Sequence, residues 1–111
     1  MQVKKAYKNI NPEILYDEVR DSVQKYGALL DEAKLQTYSL PGASSHISRG
    51  TLVFKMQQGE IQKECLRAHI VGSAVGETKM LLDIDESLFP EEKIKALEAD
   101  LDFVFGSYQE E

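Results

Sequence analysis

Apolar residues recur in two different rhythms along this 111-residue chain. Met1 to Ile10 reads as a lead-in, either frayed or an edge strand, with Val3, Ala6, Tyr7 and Ile10 its only groups able to pack. Asn11-Pro12-Glu13 then supplies an N-cap, a proline suited to the first helical position and an acid that complements the helix dipole. Leu15, Val19, Val23, Tyr26 and Leu30 follow at spacings of three and four, the single apolar stripe of an amphipathic helix. Gly27 can cap this helix or kink it, and the good helix formers of ALLDEAK carry it on to about Ala33. Leu35 to Leu40 alternates as a first strand and ends at Pro41-Gly42. The segment PGASSHIS that follows is small, polar and without period, a loop able to serve as a lid or binding loop.

From Thr51 to Asp85 the rhythm changes to apolar runs separated by two glycine-bearing turns, the pattern of antiparallel strands. The spacing predicts strands over Ile47–Met56, Ile61–Gly72 and Glu77–Asp85. Gln57 to Glu60 forms the hairpin between the first two, with Gly59 free to take positive φ. GEIQKECLRAHI is also a fair helix by propensity. The short loop before it and the Gly-Ser-Ala-Val-Gly turn after it favour a strand. Pro90-Glu91-Glu92 opens a last helix, whose stripe is Ile94, Leu97, Leu101, Val104 or Phe105, and Tyr108, with Gly106 near its stop.

These elements predict one α+β domain over residues 1–111. Its expected architecture is two-layered: a four-stranded antiparallel sheet with an N-terminal and a C-terminal helix on one face, in the order α-β-β-β-β-α. Leu52 and Phe54, then Leu66, Ala68 and Ile70, then Met80, Leu82 and Ile84 share the inward side and form the core with the two helix stripes. The other face stays uncovered. It receives Thr51, Val53 and Lys55 from one strand, Lys63, Cys65, Arg67, His69 and Val71 from the next, and Lys79, Leu81 and Asp83 from the last. Cations interleaved with Val53, Cys65, Val71 and Leu81 make a mixture typical of surfaces that meet a partner. An antiparallel sheet can also face water with scattered apolar groups.

Charge sharpens this picture. The net charge is −6, but residues 33–82 carry six Lys/Arg against three Asp/Glu, whereas residues 83–111 carry two against ten. An acidic chain with an acidic end disfavours nucleic acid, which needs a basic face. A mildly basic sheet beside an acidic helix can steer an anionic ligand or a partner. The N-terminal stretch has no apolar core of a secretory signal, and no run approaches the ~18 apolar residues of a membrane span. The single cysteine, Cys65, has no intramolecular disulfide partner. The expected home is the cytoplasm, with no membrane.

No catalytic or cofactor signature is present. Cys65 and His69 invite a nucleophile–base reading, but on a strand they sit about 13 Å apart along the axis, beyond hydrogen-bond reach. His46, His69 and Cys65 make at most three ligands without a motif spacing, so neither a metal nor a cofactor is expected. Gly72 to Gly76 lacks the P-loop ending and the dinucleotide fingerprint. Arg67 is the best candidate for an anion contact and equally a cross-strand partner for Asp83 or another acid. In size, acidity and helix–sheet–helix order the chain resembles small dimeric secretion chaperones and related acidic bacterial α/β proteins. That likeness carries no motif and transfers no residue.

Two functional expectations result. The first is a non-enzymatic interaction protein, a homodimer that associates through the open sheet face or an edge, with Val53, Cys65 and Leu81 at the interface and a protein partner within reach. The second is a binder of a small anionic ligand, or a modest enzyme, with a pocket near the 41–50 loop and Arg67, His69, Arg49 and His46 as its polar contacts.

Overall fold

The computed structural model describes residues 1–39, 41–42 and 46–110. The chain runs β1 (Gln2–Lys8), α1 (Pro12–Lys25), β2 (Leu29–Ser39), β3 (His46–Gln58), β4 (Ile61–Gly72), β5 (Glu77–Ile84) and α2 (Glu91–Phe105), closed by a 3₁₀ turn at Gly106–Tyr108. The sheet has five antiparallel strands in the order β1-β5-β4-β3-β2. This corrects both the four-strand expectation and the order α-β-β-β-β-α. The lead-in is a full edge strand paired from Gln2↔Asp83 to Lys8↔Glu77. Its signal was thin because only Val3 and Tyr7 become buried on it, between lysines.

Helix α1 also stops earlier than Ala33. Asn11 caps its start by accepting from the Glu13 N–H at 2.9 Å, as the sequence indicates. At the other end Gly27 takes φ +98°, and the Tyr26 and Gly27 N–H groups donate back to Val23 and Gln24 carbonyls. A left-handed glycine just past the last turn is a helix stop. The helix formers beyond it are drawn into β2, where pairing with β3 outweighs a propensity of a few tenths of a kcal/mol per residue.

Helices α1 and α2 lie on one side of the sheet. Their buried residues Leu15, Tyr16, Val19 and Val23, and Ile94, Leu97, Leu101 and Phe105, join Leu52, Phe54, Leu66, Ala68, Ile70, Met80, Leu82 and Ile84 in one core. Each of those sheet residues is on the inward register expected from the alternation. Tyr16 lies so close over Gly50 that a Cβ there would sit 2.5 Å from its ring. β2 runs outside this cover, and ten of its eleven residues are exposed.

Two β-bulges adjust the register. Leu30 pairs with Phe54 and Glu32 with Val53, leaving Asp31 as the extra residue of β2. Phe54 pairs with Leu66 and Lys55 with Glu64, leaving Cys65 as the extra residue of β4.

Candidate functional site

The uncovered face of the sheet can be read row by row from the strand register. One row holds Lys34, Thr51, His69, Leu81 and Lys4, in order across β2, β3, β4, β5 and β1. The adjacent row holds Gln36, Arg49, Val71, Lys79 and Ala6. Neither contains a carboxylate. On the other side of the first row lie Glu32, Val53, Arg67, Asp83 and Gln2, where acids return. The open face of this acidic protein therefore carries a cationic band two residues wide.

Arg67 is partly exposed on this face and already has an acidic neighbour. Its guanidinium donates to Glu64 at 2.8 Å, and this pairing raises its pKa further. In a regular strand residues three apart point to opposite faces. The Cys65 bulge removes one step and returns Glu64 to the face of Arg67. Asp83, the cross-strand partner of Arg67, instead accepts from the Gln2 side-chain amide at 2.8 Å.

The same bulge overturns the placement of Cys65 on the open face. Cys65 is 1% exposed and packs into the core beneath the helices. Burial pushes its thiol up to about 11, and Asp85 and Glu64 act in the same direction. Burial favours the thiol over the nucleophilic thiolate, and at this depth Cys65 offers almost no surface to a partner. β4 is a strand, as its flanking turns suggest, so Cys65 and His69 occupy opposite sides of it. Lys63 shifts too, pairing with Met56, which packs against the core. Val53 stays on the open face but is 3% exposed, flanked in its row by Glu32 and Arg67, and offers little surface to a partner. Leu81 is on that face and half-buried.

His46 departs from the other predicted polar contacts. It begins β3 on the helix side, where its Nδ1 and the Ser39 hydroxyl are 3.0 Å apart, and borders a 280 Å³ hollow with Asn11, Glu13 and Thr37. Arg49, Arg67 and His69 lie across the sheet from it, so the four do not converge on one pocket. The expected binding loop at 41–50 includes residues 43–45, which lie outside the described residues.

The sheet's two edges were the feature that sequence reasoning weighed least. The β1 edge is met by the chain's own tail: Gln109 bridges to Tyr7, and the Glu110 N–H donates to the Ala6 carbonyl at 2.7 Å. Among the described residues β2 pairs only with β3, through ten of its eleven residues, and the stretch Leu35 to Ser39 carries no charge. Half the backbone groups of such a strand point away from its neighbour and are available to another strand.

Among the described residues, no three His, Cys, Asp or Glu side chains are placed to hold a metal ion, and no helix is long and apolar enough to cross a membrane. No family model, characterised protein or solved structure matches the chain. The helix–sheet–helix order behind the likeness to secretion chaperones is replaced by one that begins with a strand.

Proposed function

We propose that this protein is a non-enzymatic interaction module of a reducing, cytoplasmic compartment, and that it forms a homodimer by pairing the free edge of β2 with β2 of a second copy. The observation that supports this reading is the edge itself: eleven residues long, paired on one side, and exposed on both faces. Antiparallel pairing centred on Thr37 sets Leu35 opposite Ser39 and Gln36 opposite Tyr38 of the other copy. No like charges oppose each other in that stretch, and the two sheets become one of ten strands. A two-fold pairing of this kind is self-complementary and closes on itself. The buried, protonated Cys65 fits a reducing compartment.

Light scattering over a range of micromolar concentrations tests the reading. The native chain is expected to show twice the mass of its 12.5 kDa protomer. Gln36→Lys with Tyr38→Lys places lysines opposite one another in the pair and is expected to return the mass to that of one chain. A native monomer throughout the range, or a dimer that survives both lysines, would sink the proposal.

A further inference from the structure

We propose that the tile where β1, β5 and β4 meet on the open face is a binding site for an amphiphilic anion, an aliphatic chain ending in one carboxylate. Six side chains build it in two cross-strand rows, Lys4, Leu81 and His69 beside Ala6, Lys79 and Val71. All six line a hollow of 540 Å³, within the range of small-molecule sites. Leu81, Val71 and Ala6 supply the apolar surface, and the ammonium groups of Lys4 and Lys79 stand at neighbouring strands.

The charge environment selects the head group. Lys79 shares its charge with Glu77 at 3.5 Å, and Glu110, which borders the hollow, is paired with Lys8 at 3.4 Å. Among the described residues Lys4 has no carboxylate within 4.0 Å. Roughly one uncompensated cation therefore faces a mostly apolar surface, which suits a singly charged head and a chain. A compact polyanion such as phosphate would lie on Leu81 and Val71 with too few donors around it. The tile lies two strands from β2, so pairing at the β2 edge leaves it uncovered.

Titration of the ¹⁵N-labelled full chain with decanoate, kept below its own aggregation concentration, tests the site. Butyrate (same head, short chain) and decanol (same chain, no charge) serve as controls. The expected result is saturable shifts centred on residues 4, 6, 69, 71, 79 and 81, with butyrate at least about tenfold weaker from the buried methylenes it lacks, and decanol at least about tenfold weaker, the scale of a hydrogen bond to a charged group. Lys4→Gln with Lys79→Gln should weaken decanoate by about tenfold or more by the same reasoning. Both lysines are exposed, and the urea midpoint of the variant reports whether its fold is kept. Decanol binding as well as decanoate, shifts spread over the helix layer, no saturable shift at all, or a folded double variant that binds like the native chain would each overturn the proposal. Retention of decanoate binding by the Gln36→Lys, Tyr38→Lys chain separates this site from the β2 edge.

Discussion

β1 and β2 are the two edges of one sheet, and they meet opposite conditions. β1 has seven residues, three of them lysines, yet it buries Val3 and Tyr7, and the Tyr7 ring meets the edge of Phe105 at a centroid distance of 6.1 Å. β2 has eleven residues and buries none of them. The outer rim of β1 is occupied by Gln109 and Glu110 of the same chain, whereas among the described residues none straps the outer rim of β2. Natural sheets blunt an edge with charge, with a bulge or with a covering segment. β1 has lysines and a cover. β2 has a bulge at Asp31 and charges only in its first half, so Leu35 to Ser39 has neither a charge nor, among the described residues, a cover.

The tyrosine on each edge turns this contrast into a measurement. Tyr7 is 0% exposed and Tyr38 is 47% exposed. Tyr7→Ala removes a ring from the core and is expected to lower the free energy of unfolding by about 3–5 kcal/mol. Tyr38→Ala should cost less than about 0.5 kcal/mol when measured at concentrations where the chain is monomeric. Urea denaturation of both variants checks the pair. Similar losses would mean that β2 is supported by packing that its exposure does not reveal.

How much of this contrast was legible in advance depended on side chains and on backbone geometry in different ways. Inward positions such as Phe54, Leu66, Ile70 and Leu82 follow from alternation, since burial forces a two-residue period on a sheet with one covered face. The N-cap of α1 and the stop near Gly106 follow from local chemistry. The fate of ALLDEAK does not, because Gly27 is compatible with a kink or a stop and only pairing with β3 decides between them. Cys65 shows a further gap. A bulge shifts the register by one residue without a mark in the apolar pattern, and that shift carries Cys65 into the core while bringing Glu64 to Arg67. The candidate polar contacts were half visible: His69 and Arg49 share the open face by alternation, while His46, read as loop, begins β3 in the inward register of Ser48, Gly50 and Leu52. The cationic band needed β1, whose pairing supplies Lys4 and Ala6 to the rows.

A smaller effect probes why the closed edge holds. The Tyr7 hydroxyl is buried without a hydrogen-bond partner, and so is that of Thr78 directly opposite it. Such groups keep their desolvation cost and recover nothing. Tyr7→Phe retains the ring and should raise stability by about 1 kcal/mol. Burial pushes the Tyr7 hydroxyl from its ordinary 10.0 up to about 12, with Asp102 and then Glu98 adding to the shift. The folded state thus holds this proton more tightly than the unfolded state. Stability from it is complete below pH 10 and is lost as pH rises towards 12. Urea midpoints between those limits should fall less for Tyr7→Phe than for the native chain. An identical alkaline fall in both would show that the ring is anchored by something other than a buried phenol.

The smallest effect lies where the chain turns toward the open edge. Asp100 of α2 accepts from Lys25 Nζ at 2.7 Å and from the Tyr26 hydroxyl at 2.5 Å, tying the end of α1 to α2 just before Gly27 sends the chain into β2. Lys25 first, and Tyr26 next, hold the Asp100 carboxyl below its ordinary 3.8. A depressed carboxyl contributes stability that is present above its unfolded value and disappears as pH falls through the lower folded one. Exposure of the cluster keeps the contribution modest. Asp100→Asn should therefore lower the urea midpoint slightly at pH 7, and the two chains should converge as the pH is taken below 3.8. If the gap between them stayed open in acid, the tie would rest on packing or the Tyr26 hydrogen bond rather than on charge, and the direction in which β2 leaves the helix layer would be independent of ionisation.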